Sequence, residues 1–287
     1  MSSRCRNFIL LVMLIALASP SVARQEPSRR VLRIAADPNN LPFSDDHFNG
    51  FENKIARLIA DDLNADLDYT WRPQRRCFFR EMFKEGNCDI VMGVPDGFER
   101  ALTTQPLYRS AYSFVHRAAR TDLADLKSLD DSRLRSLKIG VQLIGADGAN
   151  SPPAHALQRR RMIDNLVGFP IYGDYANDAP PARIIDAVAN REVDVAIVWG
   201  PVAGFFAKKQ TESLTVTPLA EQLDPPALPL AFDICIGVRK NNPALRDEIE
   251  FVLLKRRADI EKILREFGTP IVVRDSQISP HLKDETR

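Results

Sequence analysis

Residues 31–63, VLRIAADPNNLPFSDDHFNGFENKIARLIADDL, contain the pattern that decides the fold. The run VLRIAA (31–36) is typical of a buried β-strand. The loop that follows it, ADPNNLPFS (36–44), lies at the carboxyl end of that strand, where loops of α/β proteins usually face a ligand, a substrate or a partner. A helix is predicted after the loop, because apolar residues recur on one helical face at Phe51, Ile55, Leu58, Ile59 and Leu63.

Composition sets broad limits on size and chemistry. The chain has 287 residues, 45% of them hydrophobic, which is enough for two α/β lobes. Its formal net charge is +1, so nothing indicates a nucleic-acid or membrane-surface partner. None of the four histidines lies in a recognisable catalytic motif, and no C-x-x-C or paired-histidine spacing occurs. We therefore predict a protein that is not an enzyme and that holds no metal or cofactor.

The first 23 residues have the order of a secretory signal peptide. MSSRCRN carries two arginines, FILLVMLIALA is an apolar run of 11 residues, and Ser21 and Ala23 are small residues at the −3 and −1 places. The apolar run is too short to span a bilayer, although a short membrane anchor is the alternative. We expect cleavage after Ala23, export to the periplasm and a mature chain without a membrane span.

Three cysteines remain after the predicted cleavage: Cys77, Cys88 and Cys235. The segment FFREMFKEG between Cys77 and Cys88 has the pattern of a helix, which would hold the two cysteines about 12 Å or more apart. A disulfide needs Cα atoms within about 7 Å. The spacing therefore argues against a Cys77–Cys88 bridge, and at least one cysteine must be free.

Strand and helix patterns alternate along the chain. The first part is predicted as strand 31–36, helix 51–63, strand 66–71, helix 78–85, strand 89–94 and strand 112–117. The second part is predicted as strand 137–145, helices 153–164 and 181–192, strand 193–200, helix 202–210, strand 231–239 and a segment 242–268 that is one long helix or two shorter ones. This order is typical of parallel sheets with crossover helices.

The chain has to return to its first unit, because a strand and helices are left over at its end. Two crossings are predicted, near 114–118 and near 228–232. Lobe 1 is then formed by residues 24–116 and 232–287, and lobe 2 by residues 117–231. Loops at the carboxyl ends of the strands would meet in a cleft between the lobes.

Several stretches carry a resemblance to known proteins. The opening LRIAADPNNLPFS (32–44), with CDIVMGV (88–94) and a return strand, resembles periplasmic solute-binding proteins that bind polar amino acids. CDIVMGVPDGFERALTTQPLYRS (88–110), GADGANSPPAHAL (145–157) and VDVAIVWGPVAGFFAK (193–208) are similar to one branch, the MoxJ/MxaJ/XoxJ group of accessory proteins of PQQ-dependent methanol dehydrogenases.

This resemblance implies a two-lobed periplasmic-binding-protein fold of type II, with two hinge crossings and a cleft between the lobes. It also implies a non-catalytic periplasmic protein of methanol oxidation, with methanol dehydrogenase as its partner. Its role would be assembly or activation of the dehydrogenase, or handling of the PQQ cofactor. The alternative is a solute-binding protein of an ABC transporter, specific for a small polar molecule.

The resemblance also identifies candidate ligand residues. Amino-acid binders hold the ligand carboxylate with an arginine after the third strand and with a helix N-terminus, and the ammonium with an aspartate at the end of a lobe-2 strand. Arg100 lies near the first place, and Asn150 and Ser151 precede a helix, but Asp147 in the same loop would repel an anion. Trp199 stands in the ammonium place, so both anchors are weakened or absent.

Two interpretations of the remaining candidates stay open. Phe43, Trp71 and Trp199 could line an aromatic slot that, with Arg100 and the pair Arg75 and Arg76, would suit a flat polyanion such as PQQ. Otherwise the aromatic residues pack the lobes together and the arginines are solvated. In the first loop, Asp37, Asn39 and Asn40 either contact a ligand or build the turn.

Overall fold

The computed structural model describes residues 29–74, 78–84, 86–143, 150–170, 179–220 and 222–274. The strands are Arg30–Ala36 (β1), Asn39–Asn40 (β2), Ser44–Asp45 (β3), Ala65–Trp71 (β4), Ile90–Pro95 (β5), Leu102–Thr103 (β6), Tyr108–Arg117 (β7), Ile139–Leu143 (β8), Leu166–Pro170 (β9), Val195–Trp199 (β10), Leu214–Pro218 (β11), Leu223–Asp224 (β12), Leu228–Pro229 (β13) and Ala231–Val238 (β14). The α-helices are Phe51–Asp62 (α1), Phe78–Lys84 (α2), Pro152–Arg159 (α3), Arg183–Ala189 (α4), Gly200–Ala207 (α5), Pro243–Lys255 (α6) and Arg257–Glu266 (α7).

The first lobe is built on the sheet order β4-β1-β5-β14. β1 is parallel to β4 along its whole length and to β5 near its carboxyl end, whereas β14 is antiparallel to β5. The predicted apolar face of α1 covers this sheet, with Phe51, Ile55 and Ile59 fully buried. The helices α6 and α7 contribute to the same core.

The second lobe continues from the two long strands β7 and β14. They pair antiparallel with each other, with Asp233 opposite Arg109, and β7 also pairs with β10 and β11. Beyond β10 the strands β8 and β9 are added in parallel. β7 and β14 therefore connect two α/β lobes, as predicted. The exact limits of the lobes, 24–116 and 232–287 for lobe 1 and 117–231 for lobe 2, stay a prediction.

The segment 242–268 forms two helices, α6 and α7, separated at Arg256, which is one of the two predicted arrangements. Other elements differ from the sequence-based expectation. The helix predicted over 153–164 ends at Arg159, and residue Arg161 has a left-handed backbone with φ of 56°. The strands β9 and β11 were not predicted, because their residues are partly exposed and form no continuous apolar run.

The predicted signal peptide and Cys77 lie outside the described residues. Cys88 and Cys235 are both buried and free. Burial is the main reason why the pKa of Cys88 rises to about 11 and that of Cys235 to about 12, so neither is a reactive thiolate at neutral pH. Across the described ranges, no helix is both long and apolar enough to cross a membrane.

The junction of α6 and α7 is held by Asp62 at the end of α1. Its carboxylate accepts hydrogen bonds from Arg256 at 2.7 and 3.0 Å, and Lys255 Nζ lies 3.2 Å away. The hydrogen bond from Arg256 is the main cause that lowers the Asp62 pKa to about 2. The ion pairs therefore join three helices of the first lobe at one point.

We predict that Asp62→Asn lowers the melting temperature at pH 7 and flattens the acid limb of the stability curve. A carboxyl group whose pKa is depressed in the folded state contributes stability above pH 4 that is lost as the pH falls towards 2. Thermal unfolding followed by circular dichroism from pH 2 to 7 measures both effects. Glu261→Gln, which removes an exposed partner of Arg257, is the matched control and should change little. Equal melting temperatures for Asp62→Asn and the parent would contradict the prediction.

Candidate functional site

The loop after β1 is organised by Asp37, which is buried. Its Oδ1 accepts a hydrogen bond from the Asn39 amide at 2.9 Å, and its Oδ2 accepts one from the Gln74 amide at 2.7 Å. Asn40 Nδ2 donates to Gln74 Oε1 at 3.2 Å. The bond from the Asn39 amide is a local one of the Asx-turn type, whereas the bonds with Gln74 link this loop to the segment after β4.

The other end of the loop reaches the second lobe. Asn39 Oδ1 accepts a hydrogen bond from the Ala179 amide at 3.1 Å. Leu41 and Phe43 pack against the core cluster of the second lobe, which includes Ile184. The loop therefore makes direct contacts across the space between the lobes.

The aromatic side chains of Phe43, Trp199 and Phe205 pack against the core of the first lobe and against the second-lobe cluster that includes Ile184; we call them the bridging aromatics. The Trp199 ring contacts Tyr112 of β7, with centroids 5.3 Å apart, and Phe232 of β14, at 5.8 Å. Its position is fixed by its amide, which donates to the buried Gln142 Oε1 at 2.8 Å. The Trp199 side chain thus lies against both crossing strands.

The remaining candidates lie elsewhere. Trp71 stacks on Tyr69, with centroids 4.6 Å apart, and also contacts Phe48, so its ring contacts are not with Phe43 or Trp199. Arg100 is exposed beyond β5. Candidates Arg75, Arg76 and Asp147 fall outside the described residues. The predicted aromatic slot is therefore divided between two separate groups of rings.

The start of α3 carries Ser151 and Asn150. Ser151 is fully buried, and its Oγ has no hydrogen-bond partner within the ranges that the structure describes. Asn150 forms an isolated bridge with Leu143 at the end of β8. α3 begins with two prolines, which lack the N–H donors that an anion would need.

A residue that sequence reasoning missed is Glu52, in the first turn of α1. Its carboxyl group lies against Gly93 of β5, where a Cβ atom would overlap Glu52 Oε1. Gly93 also has φ of +71°, a left-handed conformation that favours glycine. Burial raises the Glu52 pKa to about 8. The sequence signal for this contact was the single glycine inside the apolar strand 90–95, because a glycine within a strand often marks the close approach of another group.

A concave surface lies between α6, α7, the start of β7 and the segment that contains Thr269 and Ile271. It is a groove of about 1100 Å³ with a largely apolar lining that includes Leu107, Leu253 and Ile260. Two residues of α6 in this lining are strongly exposed, Phe251 at 70% and Leu254 at 74%. Charges on the rim are partly paired with one another, as in Arg257–Glu261 at 3.0 Å.

Comparison with known proteins decides the family. The model of the family described as bacterial extracellular solute-binding proteins, family 3, matches residues 32–270. This chain belongs to that family.

Individual relatives show which members of the family this chain resembles. MoxJ of Paracoccus denitrificans is 31% identical over 270 residues, which cover 90% of this chain and 94% of MoxJ. The crystal structure of the periplasmic binding protein XoxJ from Methylobacterium extorquens AM1 is 36% identical and has a TM-score of 0.68, covering 85% of this chain and 100% of XoxJ. This family 3 protein is therefore of the MoxJ/XoxJ type, and the resemblance predicted from the sequence is confirmed.

More distant structures agree on the fold. MxaJ from Methylophaga aminisulfidivorans has a TM-score of 0.73 at 24% identity, covering 84% of this chain and 100% of MxaJ. An ancestral cationic amino acid solute-binding protein has a TM-score of 0.62 at 17% identity, covering 83% of this chain and 95% of that protein. The two-lobed type II periplasmic-binding-protein fold is thus confirmed for this family 3 member.

We predict that replacing Glu52 by glutamine removes a pH-dependent loss of stability. Its folded-state pKa of about 8 is above the ordinary value of 4.5, so the protonated carboxyl group stabilises the fold below pH 4.5, and this contribution is lost as the pH rises through 8. We expect the parent to lose about 2–4 kcal/mol of unfolding free energy from this group between pH 5 and 9.

Urea unfolding at pH 5, 7 and 9 measures this loss. Glu52→Gln should be more stable than the parent at pH 9 and nearly equal at pH 5. Glu266→Gln, at an exposed position at the end of α7, is the control and should follow the parent at each pH. An identical pH profile for Glu52→Gln and the parent would show that the carboxyl group is not buried.

Proposed function

We propose that this protein is a non-catalytic periplasmic accessory protein of methanol oxidation. It would bind a PQQ-dependent methanol dehydrogenase and assist its assembly, its activation or the handling of its cofactor. The kinship with MoxJ and with the periplasmic binding protein XoxJ supports this proposal. The signal-peptide pattern of residues 1–23 supports periplasmic export.

The main observation that supports this proposal is the environment of the Trp199 side chain. An amino-acid receptor of this fold needs a carboxylate at this place to pair with the ligand ammonium, whereas Trp199 is an uncharged side chain packed against Tyr112 and Phe232. An ammonium group buried there without a partner would cost several kcal/mol. The same position therefore supports contacts between the lobes better than capture of an amino acid.

The groove between α6 and α7 is the described surface with the chemistry of a protein contact. Phe251 and Leu254 expose apolar side chains on one helix beside a largely apolar groove, and such patches usually mark protein interfaces. The mutual pairing of Arg257 with Glu261 leaves less charge for a partner to match. We assign this surface to the dehydrogenase, with an apolar segment of that enzyme as the occupant.

We predict that Phe251→Asp with Leu254→Asp lowers the affinity for methanol dehydrogenase at least tenfold, because a carboxylate in an apolar contact is desolvated without a partner. Biolayer interferometry with the mature chain and the dehydrogenase purified in apo and PQQ-loaded forms measures the affinity. Ile163→Asp is the matched control, since Ile163 is also an exposed apolar residue, at 57%, but lies in the second lobe.

Each outcome of this comparison is informative. Loss of binding in the double variant alone supports the groove as the contact. Loss of binding in Ile163→Asp alone places the contact on the second lobe. If the parent binds neither form of the dehydrogenase, the proposed function is wrong.

The competing function is that of a transport receptor for a small polar molecule, which membership of family 3 favours. Isothermal titration calorimetry of the mature chain against each of the common amino acids and against PQQ separates the two. We expect no amino acid to bind with a Kd below about 1 mM, because Trp199 stands where a carboxylate would pair with the ligand ammonium. Micromolar binding of an amino acid would favour the receptor function, whereas PQQ binding alone would favour cofactor handling.

Trp199→Asp provides the matched test of that expectation. It restores a carboxylate at the end of β10, so any gain of amino-acid affinity in this variant would identify Trp199 as the residue that excludes an ammonium ligand. A control variant, Trp71→Ala, removes an indole ring whose contacts are with Tyr69 and Phe48 and should leave the calorimetry unchanged.

A further inference from the structure

The end of α7 in the first lobe lies directly on α5 of the second lobe. Phe267 stacks on the bridging Phe205, with centroids 5.3 Å apart and an interplanar angle of 11°. The Gly268 carbonyl approaches Gly204 so closely that a Cβ atom at Gly204 would overlap it. One turn further along α5, Lys208 Nζ donates to the Arg265 carbonyl at 3.3 Å. The contact therefore combines backbone, aromatic and polar groups.

Residues 268–274, which we call the C-terminal strap, then run across the crossing strands. Ser110 Oγ donates to the Pro270 carbonyl at 2.6 Å, and the Val272 amide donates to the Arg109 carbonyl at 3.0 Å, both on β7. Arg274 pairs with Asp233 of β14.

The strap also reaches a residue on the connection that leads back to β14. Gln222 Nε2 donates to the Val273 carbonyl at 2.8 Å, and Gln222 Oε1 accepts from Arg109 Nη2 at 2.8 Å. Arg109 Nη1 in turn donates to Asp233 Oδ2 at 2.9 Å. The strap is thus tied to both crossing strands and to the segment between the lobes.

These contacts oppose rotation of one lobe against the other. α5 begins at Gly200, next to β7, and Lys208 is eight residues further on, about 12 Å along the helix axis. A rotation of about 20° around the crossing strands would displace Lys208 by about 4 Å, from that helix length. Such a shift is larger than a hydrogen bond or a stacked ring pair tolerates. Opening would therefore break the contacts between α5 and α7.

We propose that the C-terminal strap, together with the Gly204–Gly268 and Phe205–Phe267 contacts, locks the two lobes into one rigid body. The family 3 fold is thereby kept at one lobe angle and does not open and close as a hinge. This inference does not depend on the identity of the partner, because every contact that carries it is within the chain.

Distance measurements by double electron–electron resonance test the lock. Spin labels are attached to ketone-bearing residues introduced at Asp61 in the first lobe and at Lys127 in the second, both exposed, so that the native cysteines stay unchanged. We expect one narrow distance distribution for the mature parent. Gly204→Ala, which forces the Gly268 carbonyl away, should broaden or shift the distribution by several ångströms, and Phe205→Ala should do the same.

Phe206→Ala is the matched control. It removes a neighbouring ring that packs in the core of the second lobe rather than on Phe267, so it should lower the melting temperature but keep the narrow distribution. A broad or two-peaked distribution in the parent would overturn the lock. Unchanged distributions in Gly204→Ala and Phe205→Ala, both shown to be folded by circular dichroism, would also overturn it. If Gly204→Ala does not fold, the distance distribution of Phe205→Ala alone tests the lock.

Discussion

The bridging aromatics are the constraint on which the arrangement of the lobes depends. Phe43 comes from the loop after β1, whereas Trp199 and Phe205 come from the end of β10 and from α5; each of them packs against the cores of both lobes. Full burial of such a ring contributes about 1.5–3 kcal/mol, and each of these partly buried rings contributes a part of that. These rings therefore connect the hydrophobic cores of the two lobes.

Polar side chains around this interface accept hydrogen bonds from backbone amides. Asp37 accepts hydrogen bonds from two amides and so holds the first loop to the segment after β4. Asn39 uses its side-chain oxygen to receive an amide of the second lobe. Buried polar atoms need such partners because an unpaired one is costly. Glu52 differs, since its burial against Gly93 is compensated by protonation, which the raised pKa reflects.

The family 3 architecture is retained with a tryptophan at the end of β10. The parallel strands still end at one interface between the lobes, as expected for a binding protein. At that interface, however, Trp199 packs on Tyr112 and Phe232, and the C-terminal strap crosses β7 and β14. One fold can host different functions, which depend on the side chains at its sites.

The sequence by itself determined the elements with strong local periodicity and the family. The strand 31–36, the helix after Gly50 and the return strand 231–239 follow from apolar patterns that are visible in short windows. β9 and β11 were not predicted, because their partly exposed residues form no such pattern. Two helices over 242–268 were one of two predicted arrangements, but the position of the break at Arg256 was not predicted, because its ion pairs with Asp62 involve a residue far away in the chain.

Only the tertiary structure decided which of the candidate residues meet. Phe43 and Trp199 both pack against the cores of the two lobes, whereas Trp71 stacks on Tyr69. No local sequence pattern predicts this difference. The burial of Glu52 and the contact of Gly204 with Gly268 could not be predicted from the sequence either, for the same physical reason. Each depends on backbones that are distant in sequence and are brought together by strand pairing and lobe packing, which short-range periodicity does not encode.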